Sequence, residues 1–244
     1  MSKSLRLGRY VLLVWTLMAT PVLAGPPYLS DDPEPTDYQH FEIYAYGNGT
    51  LSQAGMAGET GLDFNYGGAP DLQLTAVLPL AYDEQGRTGL GNVELAAKYR
   101  FLHQDVDGWD VSVFPRLFLP SISNKVGAHH AAFLLPFWAE KDFGPWQLFG
   151  GGGCTLNHSH DGDRDFCQGG AVLTREIVEG LRLGVEVFHQ TRDAVDGKSA
   201  TNFGAGLTYD ISENYHFLSY WGPGIQNVRE TGRGVWYSAL LFTF

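Results

Sequence analysis

The stretch DLQLTAVLPLAY, residues 71–82, decides the fold class. Its hydrophobic side chains recur at every second position from Leu72 to Tyr82, and polar residues such as Gln73 and Thr75 stand between them. A period of two is the period of a β-strand, whose successive side chains point to opposite faces. The stretch exceeds the roughly 5–6 residues of an ordinary strand. It matches the roughly 9–11 residues of a strand that crosses a bilayer, and therefore predicts a transmembrane strand.

Eleven further segments show the same alternation, and most of them are equally long. With residues 71–82 they predict strands over 38–47, 58–66, 71–82, 91–102, 109–119, 130–141, 146–156, 165–177, 181–191, 200–211, 215–221 and 235–244. No later segment has 18 consecutive apolar residues, which excludes a helical membrane protein. The alternative of a secreted soluble sandwich is disfavoured by strand length. The predicted fold is all-β, a twelve-stranded antiparallel transmembrane β-barrel of the bacterial outer membrane.

The links between these segments provide a second test of the same fold. They are short after every second strand, as at Val178-Glu179-Gly180, and mostly longer after the others. Short periplasmic turns alternating with longer outer loops are typical of outer-membrane barrels. Aromatic residues cluster at the short-turn ends, where an interfacial girdle is expected: Tyr99, Phe101, Trp109, Phe143, Trp146, Tyr209 and Tyr215.

Three regions are predicted along the chain. Residues 1–24 have basic residues, then an apolar stretch, then Val22-Leu23-Ala24, which is the pattern of a cleaved secretory signal peptide. We expect residues 25–37 to form a periplasmic N-terminal segment and residues 38–244 to form the barrel. The C-terminal strand ends in Phe244, a terminal residue common among outer-membrane proteins, so we expect this strand to be recognised by the barrel-assembly machinery.

Composition limits the partners. The chain has 244 residues, 44% of them hydrophobic and only 18% charged, with a formal net charge of −11. Disorder is excluded because disordered chains are rich in charge and poor in aromatic residues. A nucleic-acid partner is not expected, because it would require a basic face. The expected partners are outer-membrane lipid and a small-molecule solute.

Two motifs resemble a known family. Ser30-Asp31-Asp32-Pro33 follows the predicted cleavage site, and the sequence GLGNVELAAKYRF, residues 89–101, opens and fills the fourth predicted strand. Together they resemble the outer-membrane transporter family named after the meta-cleavage pathway of phenol degradation. That family typically has Thr in place of Ser30 and Asp in place of Asn92. The resemblance implies a transport barrel over the whole mature chain.

The inward positions of the predicted strands carry both charged and aromatic side chains. Such buried ions need partners or water, so they predict either a solute pathway with charged constrictions or an internal network of ion pairs that stiffens the barrel. The predicted lumen-lining residues are Asp63, Glu94, Lys98, Arg100, Arg116, Glu140, Glu186, Phe114, Trp138, Phe188 and Tyr220. We expect Glu140 and Glu186 to reach Arg100 and Arg116 across the lumen.

Cys154 and Cys167 are the two cysteines, and in an exported protein they predict one disulfide. Between them lie His158, His160 and Asp161, residue types that can hold a transition metal. Their spacing matches no recognised site, and a solvated polar loop is the favoured interpretation. No metal site and no cofactor are predicted.

The favoured function is an outer-membrane channel or transporter for small compounds, aromatic or hydrophobic ones among them. The alternative is a structural or adhesive barrel that acts through its extracellular loops without transport. An enzyme is not predicted: His189, His216 and Ser219 form no catalytic motif, and no Gly-x-Ser-x-Gly elbow is present.

Overall fold

The computed structural model describes residues 27–123, 125–157 and 162–244. It consists almost wholly of strands, and two of the connections between strands contain a one-turn helix. The elements are β1 (Phe41–Leu51), β2 (Met56–Ala69), β3 (Leu72–Tyr82), β4 (Thr88–Leu90), β5 (Glu94–Leu102), α1 (Gln104–Asp107), β6 (Asp110–Val113), β7 (Arg116–Phe118), β8 (Ala132–Phe143), β9 (Trp146–Asn157), β10 (Phe166–Val178), β11 (Leu181–Gln190), β12 (Ala200–Ser212), β13 (Tyr215–Gln226), α2 (Val228–Thr231) and β14 (Gly234–Thr243).

The strands form a closed antiparallel barrel. Each wall strand pairs with the next along the chain, and β14 returns to pair with β1 over ten residue pairs, from Glu42↔Thr243 to Leu51↔Gly234. The short strands β6 and β7 both lie between β5 and β8, and so they are two halves of one wall strand. Strand β4 is an addition paired with β3. The predicted twelve-stranded barrel is therefore confirmed.

Several strands have bounds that differ from the predicted ones, and two of these differences involve a break or a late start. The predicted strand over 109–119 is interrupted at Phe114 and Pro115, because proline has no backbone N–H to donate to a ladder. The Pro115 carbonyl still accepts a hydrogen bond from the backbone N–H of Ala97 at 3.2 Å. The predicted strand over 91–102 is continuous only from Glu94. Before it, Gly91 donates its N–H to the Pro79 carbonyl at 2.9 Å, which extends the pairing of β4 with β3.

Short connections gather at one end of the barrel, as the sequence predicts. The β8–β9 and β10–β11 hairpins turn at Gly144 and Gly180, with φ of +64° and +76°, values that glycine adopts without strain. The longer connections, including residues 119–123 with 125–131 and residues 227–233, lie at the other end. The first and last residues of each strand can therefore be assigned either to the barrel end with the short turns or to the end with the longer connections.

The two faces of each strand differ in chemistry. In β3 the side chains of Gln73, Thr75 and Val77 are buried inside, whereas Leu74, Leu78 and Leu80 alternate with them on the outer surface. Most of the predicted girdle aromatics are also exposed on the outside. Within residues 27–123, 125–157 and 162–244, no helix is long and apolar enough to cross a membrane.

Candidate functional site

The N-terminal segment, residues 27–37, occupies the barrel interior. It is the described part of the region over residues 25–37 that we predict to be a periplasmic segment, and most of residues 27–36 are buried or half-buried among inward side chains of the wall. Ser30 and Thr36 are almost fully buried. The physical reason is that this segment carries Asp31, Asp32 and Glu34, and the inner wall carries basic side chains that pair with them.

Strand β11 holds the beginning of the N-terminal segment. The Glu186 carboxylate accepts hydrogen bonds from the backbone N–H groups of Ser30 at 2.7 Å and Leu29 at 3.1 Å. The Tyr28 ring packs edge-on against Phe149 and Tyr220, with centroid distances of 5.8 and 5.7 Å. Burial, followed by the charge of Glu186, raises the pKa of Tyr28, so its hydroxyl stays protonated.

Strands β5 and β3 hold the rest of the segment. Lys98 Nζ lies 3.0 Å from an Asp31 carboxylate oxygen and 3.4 Å from one of Asp32, and it donates to the Glu34 carbonyl at 3.1 Å. Arg100 pairs with Glu34 at 2.5 Å. The Thr36 backbone N–H donates to the Gln73 side-chain oxygen at 2.9 Å. Charged hydrogen bonds therefore fix the segment at several points.

Glu34 has an unusual environment for a carboxyl group. Burial is the main cause that raises its pKa; Arg100 and Lys98 oppose the rise, Asp32 and Asp110 add to it, and the resulting pKa is about 7. Glu34 therefore changes its charge near neutral pH.

A cavity of about 200 Å³ remains between the N-terminal segment and the wall formed by β1, β2, β3 and β5. Six carboxylates line it, from Asp31, Glu34, Glu42, Glu59, Asp63 and Glu94, but only two basic side chains, Lys98 and Arg116. Tyr44, Tyr46, Tyr237 and Phe114 supply aromatic surface. The cavity is thus polar, acidic and partly aromatic.

Arg116 is bound by its near neighbour and not by charges across the lumen. Its Nε and a terminal nitrogen donate to the two Glu94 carboxylate oxygens at 2.7 and 2.8 Å. Arg100 bonds to Asp71 and Glu34, and Glu186 bonds to the N-terminal segment. The expectation that Glu140 and Glu186 reach the two arginines across the lumen is therefore wrong, because the N-terminal segment fills the space between them.

The structure places the eleven predicted lining residues in two groups. Asp63, Glu94, Lys98, Phe114 and Arg116 line the cavity. The other six also lie inside the barrel but do not line the cavity. Arg100 and Glu186 bond to the N-terminal segment, and Tyr220 packs against Tyr28. Glu140, Trp138 and Phe188 are buried on β8 and β11. Several of the predicted aromatic residues are therefore buried rather than exposed to a pathway.

Two cavity carboxylates, Glu42 and Glu59, were not predicted. Glu42 accepts a hydrogen bond from the Tyr44 hydroxyl, and Glu59 accepts one from the Tyr46 hydroxyl, both at 3.1 Å. Glu59 shares the inward parity of Asp63 within the predicted strand over 58–66, so strand alternation alone could have identified it. Glu42 has the parity of Tyr44 and Tyr46 and could have been found in the same way.

Comparison with known proteins places the chain in a family. A family model described as "Putative MetA-pathway of phenol degradation" matches residues 36–238. The chain belongs to this family. A search of curated proteins finds no match.

Among solved structures, the fold is similar to the COG4313 outer membrane channel from Pseudomonas putida F1, with a TM-score of 0.68 and 14% identity. That likeness covers 86% of this chain and 99% of the other. The NanC porin, at TM-score 0.60 and 12% identity, covers 81% and 98%. The KdgM porin, solved with oligogalacturonate, has a TM-score of 0.58 and 9% identity over 84% and 99%. At these identities the likeness shows the fold.

The strand opening that resembles the family has a structural role here. The Asn92 amide donates to the carbonyls of Leu119 and Ala128 at 2.8 and 3.0 Å, and its oxygen accepts from the Ala128 N–H at 2.7 Å. An ionised carboxylate could only accept. Asparagine at this position therefore suits a contact that joins Leu119 and Ala128 of the connection before β8 to the start of β5.

The predicted disulfide is confirmed. Cys154 and Cys167 are bonded, with a Cα–Cα distance of 4.0 Å, and they stand directly opposite each other on β9 and β10. His158, His160 and Asp161 lie outside the described residues. Within the described ranges, no three His, Cys, Asp or Glu residues form a metal-binding group.

The histidines considered for catalysis have other partners. His216 Nδ1 lies 2.9 Å from an Asp210 carboxylate oxygen, and His189 Nδ1 lies 2.8 Å from the Thr201 hydroxyl. In the described part of the chain, neither imidazole is hydrogen-bonded to a serine hydroxyl.

Proposed function

We propose that this protein is a channel of the bacterial outer membrane that passes small solutes. The observation that carries the proposal is the polar cavity inside a closed barrel whose outer surface is apolar. A barrel of twelve strands lies between filled eight-stranded barrels and wide porins, so a restricted pathway fits its size. The predicted signal peptide over residues 1–24 would direct the chain to export.

The proposed solutes are small organic compounds, including aromatic ones. Tyr44, Tyr46, Tyr237 and Phe114 line the cavity with aromatic side chains, beside which a phenolic solute can pack. The carboxylates and tyrosine hydroxyls beside them can bond a phenolic hydroxyl. No catalytic role is assigned.

Reconstitution tests this proposal. The purified protein is expected to give discrete conductance steps in planar bilayers and to admit a phenolic compound into liposomes faster than a sugar of similar size. Liposomes with heat-denatured protein are the control. Folded protein without conductance or solute entry would favour the alternative, a barrel that acts through its outer loops.

We also infer that the barrel-assembly machinery recognises the C-terminal strand. Phe244 is exposed, and its backbone N–H and carbonyl both bond to Phe41, at the seam where β14 meets β1. Phe244→Ala is expected to reduce the amount of assembled barrel in cells while leaving refolding of the purified chain in detergent unchanged. Phe143→Ala, at another strand end, is the matched control. Equal cellular amounts of the two variants would contradict this role.

A further inference from the structure

We propose that the outer surface of β8, β9 and β10 binds one anionic phospholipid at the short-turn end of the barrel, with the lipid phosphate between Lys141 and Arg175. The ligand is a phosphatidylglycerol molecule of the periplasmic leaflet. The inference concerns the lipid-facing surface of the barrel and is independent of the proposed channel function.

Charged side chains are rare on the outward rows of the wall strands. Strand alternation gives inward parity to all but two of the basic residues within the described strands: Lys98, Arg100, Arg116 and Arg182. The remaining two, Lys141 of β8 and Arg175 of β10, share the outward parity of the exposed Phe143 and Leu173. Every Asp and Glu within the described strands has inward parity. Positive charge is therefore confined to one part of the outer wall, where no carboxylate has the same parity.

The two outward basic residues are close to each other. Lys141 pairs with Leu148 of β9, and Arg175 pairs with Trp146 of the same strand. One strand therefore separates them, and strand spacing and rise put their Cα atoms roughly 12 Å apart. Both side chains are long and carry their charge at the tip, so they can contact one phosphate group between them.

A tryptophan ring lies against each cation. Lys141 Nζ is 5.3 Å from the centroid of the Trp109 ring, and the Arg175 guanidinium carbon is 5.0 Å from that of Trp146. Cation–π attraction holds each charge beside its indole, and tryptophan favours the boundary between membrane and water. The two charges are therefore held at the depth of the lipid headgroups.

Both cations have hydrogen-bonding capacity for a ligand. Lys141 donates to the Gly108 carbonyl at 2.9 Å, and an ammonium group has three N–H donors while a guanidinium has five. Within the described residues, neither cation forms an ion pair, because the neighbouring Asp142 and Glu176 belong to the inward rows. A phosphate supplies an anionic partner that arginine binds through two hydrogen bonds.

The surface beside the cations can accommodate acyl chains. Leu148 and Leu173 are exposed next to Lys141. In the next outward row toward the middle of the wall, Ala139, Gly150 and Ala171 stand side by side on β8, β9 and β10. A row without large side chains leaves a shallow depression, in which an acyl chain can lie close to the backbone.

The position of the site selects the ligand. It borders the β8–β9 turn at Gly144, and short turns are periplasmic in outer-membrane barrels. The facing leaflet therefore consists of phospholipid. With a formal net charge of −11, the chain as a whole repels anionic lipid, so attraction for such a lipid must come from this local pair of cations.

Native mass spectrometry of the purified protein in detergent measures the binding. We expect one phosphatidylglycerol per barrel, bound more tightly than phosphatidylethanolamine of the same chain length. Lys141→Gln with Arg175→Gln should weaken phosphatidylglycerol binding about tenfold or more, the order expected when two basic side chains near an anionic lipid are removed. The same variant should bind phosphatidylethanolamine as the wild type does. Lys141→Arg with Arg175→Lys retains both charges and should retain most of the affinity.

The matched control is Arg192→Gln with Lys198→Gln. Both residues are exposed in the connection between β11 and β12, at the end with the longer connections. The control therefore removes the same two charges far from the proposed site, and it should bind phosphatidylglycerol as the wild type does. Heat-modifiable migration on a gel verifies that each variant is folded.

Equal affinities of the wild type for the two phospholipids, or equal losses in the two glutamine variants, would overturn the inference. Lipid A, the anionic lipid of the opposite leaflet, is the third probe. Tighter binding of lipid A than of phosphatidylglycerol, lost in Lys141→Gln with Arg175→Gln, would overturn the assignment of the ligand. These measurements do not depend on conductance, so the proposed channel function stands or fails separately.

Discussion

At the scale of single residues, the alternation of β3 separates a lipid-facing position from a lumen-facing one. Leu78 is half exposed on the outer surface near the middle of the strand. Leu78→Arg is expected to lower the free energy of unfolding by about 2–4 kcal/mol, the range for arginine on the lipid face near the bilayer midplane. Denaturant titration in lipid vesicles measures this loss.

Asn48→Arg is the matched control for that substitution. Asn48 lines the cavity and lies beside Glu59, so an arginine there can be hydrated and paired. The loss of unfolding free energy for Asn48→Arg should be much smaller than that for Leu78→Arg. Thr75 is less suitable as a control, because its hydroxyl is buried in a hydrogen-bond network with Asn65 and Gln73. Equal losses for Leu78→Arg and Asn48→Arg would contradict the assignment of the two faces.

Residue-scale prediction from sequence succeeds where alternation governs and fails where a distant segment intervenes. The inward parity of Glu94 and Lys98 is readable from β5 alone. The bond between Ser30 and Glu186 joins positions 156 residues apart. The alternation along a strand does not indicate which end of the chain enters the lumen, so the partners of Glu186 could not be predicted.

At the scale of elements, one ion pair connects the interrupted strand β6–β7 to its neighbour β5 directly after the break. Pro115 breaks the ladder between Val113 and Arg116, and directly after the break Arg116 bonds to Glu94 on β5 through two hydrogen bonds. Glu94 is buried, so Arg116→Ala would leave its charge without a partner. We expect the free energy of unfolding to fall by roughly 3–5 kcal/mol, the range for removing one partner of a buried ion pair.

A double-mutant cycle tests whether the loss comes from the pair. Glu94→Gln together with Arg116→Met should recover part of the stability, since neither charge then remains unpaired. Thermal unfolding in detergent gives the comparison. Additive losses in the double variant would show that Arg116 acts through packing against Phe114 and Phe118 instead.

The elements themselves were largely predictable. Twelve alternating segments gave the wall strands because the period-two pattern is imposed by contact with lipid on one side and the interior on the other. The break at Pro115 was not predicted, although proline is a known signal against a continuous strand. The position of the N-terminal segment inside the lumen was not predicted for a different reason: the segment has no alternation, and its position is fixed by side chains on several strands.

At the scale of the whole molecule, six of the 27 acidic residues of the chain line one cavity inside the barrel, together with only two basic residues. One of these groups, Glu34, titrates near neutral pH, because burial raises its pKa to about 7. The charged groups around it are Arg100 and Lys98 of β5, Asp110 of β6, Glu140 of β8 and Asp32 of the N-terminal segment itself. The charge of the pathway should therefore depend on pH.

The sign of that dependence follows from the protonation of Glu34. Below a pH of about 7 the carboxyl is mostly neutral, and above it the ionised form adds a negative charge beside the path. The permeability ratio of potassium to chloride is therefore expected to rise as pH increases through 7. Glu34→Gln should reduce this rise, and the other carboxyls that line the cavity should contribute the remainder. Reversal potentials measured on both proteins from acidic to alkaline pH give the comparison, and superimposable pH curves would show that Glu34 does not control the charge of the pathway.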